Sequence, residues 1–73
     1  MDSEQLLQQK LPLAMEILGT NGIVPGQYSV CAFVKDDGES GCRVSPAPGN
    51  SGLFTVQVQE DLTAAGFLVQ ITT

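Results

Sequence analysis

The chain has 73 residues, is 42% hydrophobic and 15% charged, and carries eight acidic against three basic residues for a net charge of −5. That length and composition exclude a second domain and an intrinsically disordered chain. The charge excludes a surface that neutralises phosphates, so neither nucleic acid nor an anionic membrane is expected as a partner. The polar, acidic start from Met1 to Gln9 is the reverse of a secretory signal. No run of residues approaches the roughly 18 apolar positions of a membrane span. The expected compartment is therefore the cytoplasm. A domain this short buries only about 60% of its unfolded surface, which makes self-association a natural source of extra stability.

In chain order, Asp2 or Ser3 is placed to cap a helix with Glu4 in its first turn, and Gly19 to close it. At 100° per residue, Leu7, Leu11, Ala14, Met15 and Leu18 share a sector and Leu6, Leu13 and Ile17 adjoin it, a stripe of roughly 200°. Pro12 falls on the opposite side, where it bends the helix around a core; the alternative is two helices broken before it. The segment Gly19 to Gln27 holds the turn pairs Asn21-Gly22 and Pro25-Gly26 and reads as a connector.

Tyr28 to Lys35 reads as a strand, Asp36-Asp37-Gly38-Glu39 as a hairpin turn of the two-residue Asp-Gly type, and Cys42 to Ser45 as the return strand. Pro46 to Gly52 is a Pro/Gly/Ser loop that cannot pair. Leu53 to Gln59 alternates, with Phe54, Val56 and Val58 on one side, and is read as a third strand. Asp61 to Gly66 is either one helical turn or a wide hairpin loop, and Phe67 to Thr72 is the last strand. The expected fold is α+β, an N-terminal α-helix packed on a four-stranded antiparallel β-meander, forming one domain over residues 1–73.

Val24-Pro25-Gly26-Gln27-Tyr28-Ser29-Val30 resembles the Pro-Gly-x-Tyr entry to a strand found in many β-sandwich domains. The resemblance covers only those residues, and a sandwich of about 100 residues does not fit in what the helix leaves.

A sheet with one helix on it has a dry and a wet face, so its strands should alternate. The first strand does not. With a two-residue turn at Asp37-Gly38, Cys31 lies opposite Val44 and Phe33 opposite Cys42, on the face away from Val30, Ala32 and Val34. Cys31, Phe33, Cys42, Val44 and Leu68 are thus expected to form a second apolar patch, an interface for a protein partner or for a second copy in a homodimer.

Candidate chemistry is sparse. The chain contains no histidine and no tryptophan, so histidine-based nucleophile systems lack their base. The acidic pairs lie in turns, no glycine-rich phosphate loop occurs, and two cysteines alone make a poor zinc site. No catalytic, metal or cofactor residues are expected. In the assumed register the sulfurs of Cys31 and Cys42 are diagonal, so they are expected as reduced thiols; a disulfide needs a register change such as a bulge at Gly41. The expected function is that of a small non-enzymatic protein-interaction protein, an adaptor, inhibitor or regulator. A structural subunit that self-assembles through sheet faces or exposed strand edges and a thiol switch through Cys31 and Cys42 are the alternatives.

Overall fold

The computed structural model describes residues 3–71. Its elements are helix α1 (Ser3–Thr20), strands β1 (Tyr28–Val34) and β2 (Ser40–Pro46), a 3-10 turn (Ser51–Leu53), helix α2 (Val56–Ala64) and the short strand β3 (Leu68–Val69). The class is α+β as expected. The four-stranded antiparallel meander is not what forms: the sheet has three strands in the order β1-β2-β3, with β1 antiparallel and β3 parallel to β2. The Asp2 cap and the end of the last expected strand at Thr72 lie outside the described residues.

The largest correction concerns Leu53 to Gln59. Phe54, Val58 and Leu62 are buried while Val56 is 70% exposed, which is the spacing of a helix and not of a strand. Thr55 caps α2 by accepting from the Val58 N–H at 3.4 Å, and the Gln59 side chain donates back to the Phe54 carbonyl at 3.1 Å. Once this segment is helical, the chain crosses over before pairing again, so β3 returns parallel to β2.

α1 is one continuous helix with Pro12 inside it and on the exposed side. It runs past Gly19. The Gly22 N–H donates to the Gly19 carbonyl at 3.0 Å and the Ile23 N–H to the Leu18 carbonyl at 2.8 Å, with Gly22 at φ +79. α2 ends the same way: Gly66 donates to Thr63 at 3.0 Å, Phe67 to Leu62 at 3.0 Å, and Gly66 has φ +91. Each is a Schellman closure with its hydrophobic pair, Leu18 with Ile23 and Leu62 with Phe67. All four side chains belong to the core, together with Ala14, Cys42, Val44, Phe54 and Val58.

The hairpin turn holds one residue more than the two-residue type. The Lys35 N–H donates to the Glu39 carbonyl at 2.7 Å, Gly38 donates to the Lys35 carbonyl at 2.9 Å, and Gly38 has φ +86. This is a three-residue connection with a glycine bulge. The register therefore pairs Val30 with Val44, Cys31 with Arg43, Ala32 with Cys42 and Phe33 with Gly41.

Two substitutions test this packing. Gly66→Ala forces a side chain into the left-handed region at a cost of about 1–2 kcal/mol and brings its Cβ within 2.8 Å of Lys10 Nζ. Chemical denaturation should show the loss, and an unchanged midpoint would refute the closure. Among the described residues the buried Tyr28 hydroxyl has no hydrogen-bond partner, so Tyr28→Phe should leave stability equal or raise it by up to about 1 kcal/mol, with a clear loss counting against it.

Candidate functional site

The register decides where the five expected interface residues lie. Cys42 and Val44 face inward opposite Ala32 and Val30 and are buried in the core. Cys31, Phe33 and Leu68 face away from the helices, beside Arg43, with Cys31 and Leu68 exposed and Phe33 half-buried. The single patch of five is thus corrected to an outer trio and an inner pair. The physical reason is the bulge at Gly38, because a one-residue slip turns every β2 side chain over.

The outer face is less greasy than the sequence suggested. Arg43 replaces Val44 there, and Ser29 and Ser45 are hydrogen-bonded through their hydroxyls at 3.1 Å. Phe33 lies across its cross-strand partner Gly41, so closely that a Cβ at Gly41 would sit 2.6 Å from Phe33 Cζ. The glycine gives the ring a platform, which keeps Phe33 from projecting into solvent.

Phe33, Cys42 and Leu68 nevertheless converge on one cleft of about 470 Å³, together with Leu6, Lys10 and Phe67. It opens between the N-terminal half of α1, the hairpin and the end of α2. Lys10 and Lys35, two of the three basic residues, line it. Lys10 is already engaged: its ammonium donates to the Ala65 carbonyl at 2.9 Å and lies 5.0 Å from the centre of the Phe67 ring. A cation there satisfies the C-terminal end of α2 and ties that helix to α1. Burial pushes the Cys42 thiol above its ordinary range, and the nearby Lys10 charge opposes the shift. Cys42 is accordingly a small apolar wall residue.

Sequence reasoning raised exposed strand edges only for the alternative of a self-assembling subunit and did not single out a second feature, the free edge of β1. Backbone bonds at Lys35 to Glu39 and at Ala47 to Gln27 fix the ladder, and alternation then turns the N–H and C=O groups of Ser29, Cys31 and Phe33 toward β2. Those of Tyr28, Val30, Ala32 and Val34 point the other way. Among the described residues no strand lies beside that edge. The strand Tyr-Ser-Val-Cys-Ala-Phe-Val contains no charge and no proline, the two devices that usually blunt an edge. That composition is visible in the sequence, and the rim position of a first strand follows from the expected meander; the register, which decides which of its backbone groups face outward, does not.

Among the described residues no group of three or more His, Cys, Asp or Glu side chains is placed to hold a metal ion, and no helix is long and apolar enough to cross a membrane. None of the family models, curated proteins or solved structures compared with the chain matches it.

The two thiols are free, Cys31 exposed and Cys42 buried. In dilute native protein an alkylating reagent should modify Cys31 promptly and Cys42 only after denaturation, as mass spectrometry of the labelled peptides will show; equal rates would contradict the register. Because the folded state holds the Cys42 proton more tightly than the unfolded chain, its contribution to stability is present below the thiol's ordinary pKa and is lost as pH rises through the raised folded value. Cys42→Ala should remove that alkaline slope and leave the neutral-pH behaviour to packing alone.

Proposed function

We propose that this protein works by binding another polypeptide, non-enzymatically, and that the free edge of β1 is its working surface. The observation that carries the reading is the uncharged seven-residue edge strand, whose outward backbone groups are free to accept an added strand. Main-chain bonds would supply affinity, while the exposed side chains of Val34 and Cys31 would supply selectivity on alternate faces. The cleft beside Lys10 supports a weaker case, since its inner ammonium is spent on Ala65 and Phe67.

Selection of extended peptides from a random library, on sparsely immobilised protein, tests the proposal. Winners should protect the Val30 and Ala32 amides from solvent exchange. They should lose at least roughly tenfold in affinity against Ala32→Pro, which removes an outward N–H and leaves the β1–β2 ladder intact. Peptides that bind Ala32→Pro as well as wild type, or that protect only residues of the cleft, would overturn it.

A further inference from the structure

We infer that the strand received at the edge of β1 is β1 of a second copy, antiparallel, with Cys31 on the twofold axis. This rests on the strand-edge reading and names its occupant.

Three observations carry it. The first is register. Only Tyr28, Val30, Ala32 and Val34 present backbone groups outward, so an antiparallel partner must set even-numbered residues opposite even-numbered residues. The pairing that uses the whole strand sets Tyr28 against Val34 and Val30 against Ala32, which brings Cys31 opposite Cys31 at a non-hydrogen-bonded position. The second is charge. In that pairing no like charges meet: Lys35, just beyond the strand, falls opposite Gln27, and Asp36 opposite Gly26.

The third is the flank of α1. Leu6 and Lys10 line the cleft at the end of α2, and Leu13 and Ile17 share a second cleft with Asp61 of that helix. This flank therefore looks toward α2. Leu11 and Met15 lie roughly 150° around the helix, away from α2; because α1 packs on β1 and β2 and α2 beside β3, that is the side toward the free edge, and the two residues are 37% and 44% exposed. When two copies pair through β1, the two sheets join into one, and the Leu11 and Met15 flanks of the two α1 helices face each other above the seam. A strand edge and the apolar helix flank beside it are then covered by the same symmetric act.

The test uses the full chain. Light scattering should give twice the 7.7 kDa chain mass, falling to the single mass as the protein is diluted. Diamide should link wild-type chains through Cys31: two thiols lose two electrons and two protons to the azo bond, forming one S–S bond and the hydrazine. The pairing distance of about 4.5 Å between Cα atoms suits that bond. In a Cys31→Ser background, Ser29→Cys and Phe33→Cys chains should cross-link when mixed and not when either is alone, since those positions face each other across the axis.

Ala32→Pro should weaken self-association by roughly tenfold or more. Should that variant fail to fold, Val34→Lys, at a site 62% exposed in the single chain, serves instead, with Met15→Lys testing the helix flank. A chain that stays monomeric but takes peptides in an Ala32→Pro-sensitive way would overturn the second-copy inference and leave the strand-edge reading standing. A dimer that is insensitive to these changes, or cross-links in another register, would overturn the inference as well.

Discussion

The position of Gly38 governs more of this molecule than any other single constraint. With φ +86 it takes the bulge of a three-residue turn, and the hairpin closes with Lys35 bonded to Glu39. That closure sends Cys42, Val44 and Pro46 inward and leaves Arg43 and Ser45 outside. Shift it by one residue and an arginine enters the core while Val44 leaves it, a change no small domain can offset. The same closure fixes which β1 groups are consumed by β2 and which face outward, so the core and the free edge are set by one turn.

The helices are held against that sheet by a repeated device. Leu18 with Ile23, and Leu62 with Phe67, each pair the last turn of a helix with the residue after a left-handed glycine. Because both members of each pair are core residues, ending the helix and building the core are the same event. Lys10 reinforces the junction by donating to the Ala65 carbonyl, and Asp61 by accepting from Gln57 at 2.9 Å and from Asn21 at 3.3 Å. Polar side chains here act at the seam between α1 and α2, where backbone groups left over at helix ends need partners.

The legible parts of the sequence were those with local causes. α1, β1 and the existence of a hairpin at Asp37-Gly38 follow from periodicity and turn chemistry, and all three are present. Leu53 to Gln59 was misread because Phe54, Val56 and Val58 alternate over a span too short to distinguish two periods; Leu62, one helical repeat further on, and Thr55 as cap were the discriminating signals. The interface residues were misplaced for a subtler reason. An Asp-Gly pair is compatible with two- and three-residue turns, and the choice depends on which β2 face the core accepts, information that is not local. Phe33 and Leu68 stayed outside under either register, whereas Cys42 and Val44 were the residues whose side depended on it.

Why the edge of β1 is left bare follows from how the chain is spent. Nine side chains drawn from both helices, β2 and the connections form the core, and β1 contributes only Tyr28 and Val30 at its margin. The last strand, β3, pairs with β2 on the far side, so among the described residues no strand lies along β1. A monomer under pressure to stay single would carry a lysine or proline at Val30, Ala32 or Val34, at slight energetic expense on an edge strand. Its charges gather instead just after the strand, at Lys35, Asp36 and Asp37, where they border the edge without obstructing it. An unguarded edge beside an exposed leucine and methionine on α1 forms one continuous surface, the one on which the proposed second copy would pair.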